Sequence, residues 1–308
     1  MAKPERDTTP PIGRYIDLLT DFGFKRIFGS EPNKDLLIAF LNELFKGRKI
    51  IRDLVYNPQE NNGPLEGYRK TIFDLTCTGA DGETFIVEMQ RAEQKYFTDR
   101  AVFYTASKLH GQGPKGQKDW NYALKEVYFI GLMDFNFDNT APDKYLHRVR
   151  LAEEETGKTF YHKLGFIFLE LPNFNLEERE IKTDLERWFY VLRNMGKLKK
   201  NPVILHKRIF QKLFRISEIS NLKKEEYMLY EKSLMDKWDT YSVLKTAEER
   251  GMERGIEKGI EKGKIEGKTE EVANLITKLG LSDGQAAEVA GVTVDFVKKV
   301  RASLNKKK

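Results

Sequence analysis

The stretch DLTCTGADGETFIVEMQ, residues 74–90, decides how the central part of the chain folds. Two short runs of apolar and β-branched residues flank Ala80-Asp81-Gly82, which is the pattern of a β-hairpin. Gly82 suits the left-handed third position of a three-residue loop, a type I turn closed by a glycine bulge. A loop of this length places Asp74 directly opposite Glu88 on the neighbouring strand.

The side chains of the hairpin divide between two faces, because successive strand residues point in opposite directions. One face is apolar and carries Phe73, Leu75, Cys77, Phe85, Val87 and Met89. The other carries Asp74, Thr76, Thr78, Thr84, Ile86, Glu88 and Gln90. The spacing therefore predicts a core face and a polar face. A two-residue Asp-Gly turn would instead place the two acids on different faces. The alternative to a functional site is an ordinary amphipathic hairpin whose outer face carries two acids.

The polar face has the composition of a metal site. Like charges directly opposite each other destabilise a strand pair unless a cation lies between them, and their Cβ atoms would be about 4.5–5.5 Å apart. The carboxylates of Asp74 and Glu88, with the backbone carbonyl of Met89, can hold Mg²⁺. Gln90 faces the same side because it lies two residues beyond Glu88. Such a metal would polarise a phosphodiester, orient the attacking water and lower its pKa.

Length and composition limit the classes of protein to consider. The chain has 308 residues, of which 40% are hydrophobic and 12% aromatic, as in a globular protein. Its single cysteine, Cys77, excludes an internal disulfide framework and fits a cytoplasmic location. The sequence shows no signal peptide and no membrane-spanning run. The net charge of +6 favours a polyanionic partner.

The order of helical and strand-like patterns predicts an α/β fold with a mixed sheet flanked by helices. Helical spacing follows Asn33, a candidate cap, as far as Phe45, and a second helix is predicted over residues 94–110. Strands are predicted over residues 50–56, 124–132, 144–151 and 163–171, in addition to the hairpin. From residue 176 to about residue 241 the periodicity is helical. Trp188 and Phe210 are predicted to belong to its core stripes.

The last quarter of the chain combines a glycine repeat with a short helical tail. Glycine recurs every four residues from Gly251 to Gly267, which favours a semi-flexible charged connector over close helix–helix contact. The tail resembles a helix–turn–helix, with Ser282 as a cap and Gly291 at the turn. Such a tail either binds DNA or mediates self-association. We expect a homo-oligomer, specifically a dimer, because the start of the second helix lacks side chains that read bases.

Three stretches carry a resemblance to a known family: TDFGFKRIFG with NKDLLIAFLNELF, then FDLTCTGADGETFIVEMQ, then QKYFTDRAVFYTASKL. The chain resembles the PD-(D/E)xK nuclease superfamily and, within it, the recombination-promoting nuclease (Rpn) or transposase family. This resemblance implies a restriction-endonuclease-like fold. It also implies a DNA endonuclease that uses Mg²⁺ or Mn²⁺ and is linked to recombination or mobile elements.

The resemblance also assigns roles to individual residues. Asp74 and Glu88 would bind the metal, and Gln90 stands where the wider superfamily has lysine. Glutamine has no positive charge and no basic group, but it can orient water. The further candidates are Asp21, for the metal shell or as a helix cap, and Lys25 and Arg100, for DNA phosphate contact. Lys25 could instead be solvated, and Arg100 could instead orient Asp74 or Glu88. In the tail, the candidates for phosphate contact are Lys298, Lys299 and Arg301.

The resulting organisation has five segments. Residues 1–14 are expected to be flexible, 15–180 to form the nuclease-like domain, and 181–245 to form a helical extension. Residues 246–271 would be the connector and 272–308 the tail. Two other functions remain open at this point. A nuclease fold retained as a DNA- or protein-binding regulatory module is one, and a transposase with strand-transfer activity is the other.

Overall fold

The computed structural model describes residues 13–57, 60–61, 71–72, 74–113, 120–138 and 140–305. Most of the N-terminal segment expected to be flexible, and Phe73 of the hairpin, lie outside the described residues. The chain forms two compact units, which divide between Thr240 and Tyr241.

The first unit is built around a mixed β-sheet. Its strands are β1 (Leu54–Tyr56), β2 (Glu60–Asn61), β3 (Thr71–Ile72), β4 (Leu75–Gly79), β5 (Thr84–Gln90), β6 (Val127–Met133), β7 (Leu146–Ala152) and β8 (Thr159–Glu170). Six of them form one sheet in the order β1-β4-β5-β6-β8-β7, and β2 pairs with β3. Strands β5, β6 and β8 run parallel to one another, whereas β1, β4 and β7 pair antiparallel with their neighbours. The mixed sheet predicted from the sequence is confirmed.

Helices cover this sheet and continue into the second unit. They are α1 (Asp21–Phe28), α2 (Lys34–Leu44), α3 (Phe97–His110), α4 (Asp184–Asn194), α5 (Arg208–Ser217), α6 (Lys224–Leu279), α7 (Asp283–Ala290) and α8 (Val294–Asn305). Short 3-10 helices occupy Glu31–Asn33, Leu171–Asn173, Glu178–Glu180, Met195–Lys197, Val203–Leu205 and Ile219–Asn221. The boundary between the units falls within α6.

The hairpin of β4 and β5 has the predicted three-residue loop. Gly82 adopts a φ of 84°, the left-handed region that favours glycine. The Gly79 amide donates to the Glu83 carbonyl at 2.8 Å, which closes the loop. Leu75, the first residue of β4, pairs with Val87, and this register places Asp74, the residue before it, opposite Glu88. The predicted register is therefore confirmed.

The two faces of the hairpin are both buried, which corrects the prediction of one polar face. Leu75, Cys77, Phe85, Val87 and Met89 enter the large core that also contains residues of α1, α2, α4 and α5. On the other face, Ile86 packs with Phe97 and Ala101 of α3 and with Phe129 of β6. Helix α3 covers this face because its own apolar stripe needs a partner surface. Thr76 and Glu88 are consequently buried rather than solvated.

Several predicted element ends differ from the structure, and one of them is the start of β1, which lies at Leu54 rather than at residue 50. Strand β8 begins at Thr159, four residues before the predicted start, because it pairs with β7 ahead of the start of β6. This added part is not buried, unlike the apolar end of the strand. Asn33 occupies the cap position of α2, but its side chain makes no capping hydrogen bond. It donates instead to the carbonyl of Arg26 at 3.0 Å.

The helices after the sheet contribute to the same core as the sheet. Trp188 of α4 and Phe210 of α5 are buried and lie 5.0 Å apart between ring centroids. Both belong to the core that includes Val87 of β5 and Ile130 of β6. The predicted core stripes of this helical region are confirmed.

The second unit contains the glycine repeat and the helix–turn–helix tail. The repeat is helical throughout, as part of α6, and beyond the neighbouring residues and backbone of α6 itself no described atom would lie within 4 Å of a Cβ added at any glycine from Gly251 to Gly267. In the tail, Ser282 caps α7 through its side chain, and Gly291 turns the chain with a φ of 61°. A small core of Val272, Ala286, Ala290, Val297 and Val300 joins the three helices of this unit. The predicted helix–turn–helix is confirmed.

Candidate active site

The two acids of the hairpin lie side by side at the end of β5. The Met89 amide donates to Asp74 Oδ2 at 2.9 Å, and the Asp74 amide approaches Glu88 Oε1 at 3.3 Å. Backbone groups of one strand residue point to the same side. The Met89 carbonyl is therefore directed towards the Asp74 side of β5. The three oxygen donors predicted from the sequence belong to one small region of the sheet.

Burial dominates the electrostatics of the pair. Only 5% of the Glu88 surface is exposed. Burial, followed by the charge of Asp74, raises the pKa of Glu88 to about 8, and the charge of Arg100 opposes this shift. Burial also raises the pKa of Asp74, against the Met89 hydrogen bond and the charges of Lys25 and Arg100. Without a cation, the pair therefore retains a proton at neutral pH.

Gln90 and Arg100 form the polar contact beside the acids. Arg100 donates from Nη2 to Gln90 Oε1 at 2.7 Å and from Nη1 to Gln94. Its guanidinium lies 5.4 Å from the ring centroid of Phe97 and 5.9 Å from that of Tyr104. Within the described part of the chain, Arg100 makes no ion pair, so its direct partner is the amide rather than Asp74 or Glu88. The guanidinium nevertheless lies close enough to influence the pKa of both acids.

Asp21 and Lys25 lie in the first two turns of α1 and pair with each other at 2.8 Å. The helix cap is Thr20, whose side chain accepts from the Gly23 amide at 3.0 Å, so the capping role considered for Asp21 is wrong. Asp21 and Lys25 are both exposed enough to bind a ligand, and both charges influence the pKa of Asp74. They line a cleft of about 710 Å³ that Lys232 of α6 also lines.

A second charged cluster, which no sequence pattern predicts, lies next to the site. The Asp134 amide donates to the Gln90 carbonyl at 2.9 Å, directly after β6. Burial raises the pKa of Asp134, and Lys237 opposes the shift. Lys237 binds Asp17 at 2.7 Å, and the Asp17 amide donates to the Tyr230 hydroxyl at 2.9 Å. These residues are far apart in sequence, so no local pattern relates them.

The tail candidates differ in their surroundings. Lys298 and Lys299 are exposed on α8. Arg301 instead binds Asp283 at 2.7 Å and donates to the Leu281 carbonyl at 2.9 Å. This contact ties the end of α8 to the start of α7 and occupies two of the guanidinium nitrogens. Phosphate contact by Lys298 and Lys299 stays a prediction, and for Arg301 it would require breaking an internal ion pair.

The donor set at the hairpin suits a hard divalent cation. Magnesium is commonly bound by one or two carboxylates, with water and substrate phosphate as the other ligands. Asp74, Glu88 and the Met89 carbonyl supply that number of protein oxygens. Among the described residues, no group of three His, Cys, Asp or Glu side chains has the geometry of a metal site. A closed structural metal site of the zinc type is therefore not found there, whereas an open site completed by substrate fits.

A mixed sheet of this topology, with opposed carboxylates on a central hairpin and helices on both faces, defines a restriction-endonuclease-like fold. The chain belongs to the PD-(D/E)XK nuclease family transposases, whose family model matches residues 18–247. This confirms the resemblance seen in the sequence. Comparisons with curated proteins and with solved structures found no match. Of the helices in the described ranges, none has the length and hydropathy needed to cross a bilayer.

The raised pKa of Glu88 predicts how the metal-free protein responds to pH. Below the ordinary value of 4.5, folded and unfolded chains both carry the proton, so the free energy of unfolding is unaffected. As the pH rises towards about 8, the unfolded chain ionises first, and the folded protein loses stability. We expect Glu88→Gln to flatten this decline.

The measurement is urea unfolding in EDTA at several pH values between about 5 and 9, for wild type and for Glu88→Gln. Asp81→Asn, an exposed acid in the same hairpin, is the matched control and should follow wild type. A wild-type stability that increases over this range would contradict the assignment of a buried, protonated pair.

Proposed function

We propose that this protein is a divalent-metal-dependent DNA endonuclease that hydrolyses phosphodiester bonds and acts in recombination or on mobile elements. The observation that supports this proposal best is the opposition of Asp74 and Glu88 across the β4–β5 hairpin, beside the Met89 carbonyl. Membership in the PD-(D/E)XK family supports a nuclease or transposase-like role.

In the proposed mechanism, Asp74, Glu88 and the Met89 carbonyl would hold Mg²⁺ or Mn²⁺. The bound ion would polarise the scissile phosphate and lower the pKa of water. Because burial favours the protonated forms of these acids, metal loading would be accompanied by proton release. The Gln90 amide is held by Arg100 through its oxygen and by the Ala92 carbonyl through its nitrogen at 3.2 Å, so its orientation is fixed.

We further propose that Arg100 supplies the positive charge that lysine provides in the wider superfamily. Gln90 cannot stabilise the extra negative charge that develops on the phosphate during attack. The Arg100 guanidinium is hydrogen-bonded to Gln90 and is close to both acids. Its buried Nε has no hydrogen-bond partner among the described residues, which leaves donor capacity near the site. Lys25, with Asp21 beside it, would also contact phosphate.

Two other functions compete with hydrolysis. A binding module with a nuclease fold is favoured by one observation, the presence of Gln90 in place of lysine. It predicts DNA or protein binding without cleavage. A strand-transferring transposase would use the same acids but would join DNA ends rather than only cut them.

The first test replaces the acids. Asp74→Ala and Glu88→Ala should each abolish nicking of supercoiled plasmid in Mg²⁺, since a single carboxylate leaves too few oxygens for the ion. Asp81→Ala in the hairpin loop should cut like wild type. Magnesium should raise the melting temperature of wild type and of Asp81→Ala, but not of the two site variants.

The readout of the first test also separates the competing functions. Circular dichroism establishes that the variants are folded, and plasmid joined to a second DNA would indicate strand transfer. Folded site variants with full activity would eliminate the proposed site. A wild-type protein that binds DNA but leaves it uncut, with or without Mg²⁺ and Mn²⁺, would favour the binding module.

The second test concerns Arg100. Arg100→Ala should lower the single-turnover cleavage rate by about 100-fold while DNA affinity changes little, because the charge is needed mainly in the transition state. Arg100→Lys should recover part of the rate. The double variant Gln90→Lys/Arg100→Ala, which restores the lysine of the superfamily, should recover more than Arg100→Ala alone.

Lys95→Ala removes an exposed neighbouring cation and is the control for net charge. Equal rates for Arg100→Ala and wild type would remove Arg100 from the mechanism. A loss of affinity as large as the loss of rate would instead make Arg100 an ordinary phosphate contact.

The third test concerns the tail, which we propose mediates self-association into a dimer. A chain ending at Arg250 retains the first unit and the region matched by the family. Light scattering should give half the mass of the full-length protein, with little change in the salt dependence of DNA binding per subunit. If Lys298 and Lys299 contact phosphate instead, the full-length Lys298→Gln/Lys299→Gln variant should lose about two units of salt slope. A monomeric full-length protein would refute the dimer.

A further inference from the structure

A cavity of about 420 Å³ lies at the edge of the sheet opposite to the two acids. Its floor includes Tyr128 and Gly165, near the start of β6 and in the part of β8 that pairs with it. Because β5, β6 and β8 are parallel, their N-terminal ends lie together at one end of the sheet and their C-terminal ends lie together at the other. The seven residues of β5 separate these two ends by roughly 20 Å. A phosphate bound to the acids therefore cannot also occupy this cavity.

Three arginines line the cavity, and none has a carboxylate partner among the described residues. Arg48 follows α2, and Arg148 and Arg150 come from β7. Within the described ranges, none of the three makes an ion pair, and the Arg148 guanidinium donates only to the Leu44 carbonyl, at 3.3 Å. Lys49 beside them is different, because it binds Glu126 at 2.7 Å and Glu83 at 3.5 Å. The positive charge that remains in the cavity is therefore arginine charge.

The arginines also influence one another. Burial and the charge of Arg48 both lower the pKa of Arg148, so the two guanidinium groups lie close enough to repel each other. Arrangements of this kind are unfavourable by themselves and become favourable when an anion binds. Guanidinium groups are well suited to this role because their planar donors match the oxygens of a phosphate.

The cavity also has an aromatic surface. The Tyr128 ring packs edge-on against Phe45 at 4.7 Å and lies against β8, where Gly165 leaves room for it. Burial raises the pKa of Tyr128 to about 12, so its hydroxyl remains neutral. Tyr161 lines the same cavity. The register of β7 and β8 shifts directly after Arg150, and such bulges redirect side chains at binding sites.

We propose that this cavity is a second ligand site that binds the phosphate monoester of a nucleotide-sized molecule. The unpaired guanidinium groups of Arg48, Arg148 and Arg150 would bind the phosphate, and Tyr128 and Tyr161 would contact the attached nucleoside. The volume lies in the range of small-molecule sites, about 300–1,000 Å³. The phosphate could belong to a free nucleotide or to the end of a nucleic acid strand. This site is independent of the proposed nuclease activity.

The test measures binding to the full-length protein in EDTA, which keeps metal-dependent binding at Asp74 and Glu88 from contributing. Deoxyadenosine 5′-monophosphate should raise the melting temperature saturably, and deoxyadenosine should not. Arg48→Gln and Arg150→Gln should each weaken binding of this nucleotide at least tenfold. Arg52→Gln, an exposed arginine outside the cavity, should not, and Asp74→Ala should bind like wild type.

A pair of ten-residue oligonucleotides, with and without a 5′-phosphate, identifies the source of the phosphate. Tight binding that requires the 5′-phosphate and is lost in Arg48→Gln assigns the site to strand ends, whereas stronger binding of the mononucleotide assigns it to free nucleotides. Equal binding of both oligonucleotides, weakened by Arg48→Gln, would overturn the proposal in favour of a surface for backbone diesters. Absence of nucleotide and oligonucleotide binding at the cavity would also overturn it.

Discussion

Gly82 adopts a left-handed backbone conformation that allows the loop between β4 and β5 to close after three residues. The side-chain period of a strand is two, so a loop one residue shorter would turn the side chains of one strand to the opposite face. Asp74 and Glu88 would then lie on different faces, and the apolar side chains around them would lose their places in the core. The site and the packing of both sheet faces therefore depend on the same loop.

Two buried acids opposite each other are electrostatically unfavourable, and a neighbouring positive charge reduces this effect. Burial under α3 raises the pKa of Glu88, while Arg100, on that same helix, acts in the other direction. Arg100 also fixes the amide that replaces the lysine of the superfamily. Because the positive charge comes from Arg100 on α3, it does not depend on which residue occupies position 90 of β5. In the proposed mechanism, this arrangement would compensate for glutamine at position 90.

Local patterns were sufficient for those parts of the structure that form between neighbours in sequence. The hairpin register, the core stripes around Trp188 and Phe210, and the capped turn at Gly291 all follow from short-range spacing. The exposure of the second hairpin face was predicted incorrectly, because Thr76 and Glu88 are polar while the surface that buries them comes from α3. Both Arg100 and Gln90 are site candidates from the sequence, but the hydrogen bond between them was not predicted. The partners considered for Arg100 were all charged: DNA phosphate, Asp74 or Glu88.

Contacts between distant segments could not be predicted in this way. The cavity that contains Arg48 and Arg150 joins the end of α2 to an edge strand about 100 residues later. The contact of Asp17 with Lys237 spans 220 positions. Neither contact leaves a periodic signal in the sequence. In the sequence, the charged residues at these positions cannot be distinguished from ordinary surface residues, because only the fold brings them together.

The buried contact of Lys237 has a consequence for how small a folded fragment of the first unit can be. A fragment that ends after the sheet, near residue 180, would lack the ammonium group that binds Asp17 and that lowers the pKa of Asp134. It would also lack the Tyr230 hydroxyl, which accepts a hydrogen bond from the Asp17 amide. Removing one partner of a buried pair leaves the other charge uncompensated, which is more unfavourable than never having had the pair. The first turns of α6 are therefore an integral part of the sheet domain, and a protease that cuts before Lys237 would disturb the backbone that carries Gln90.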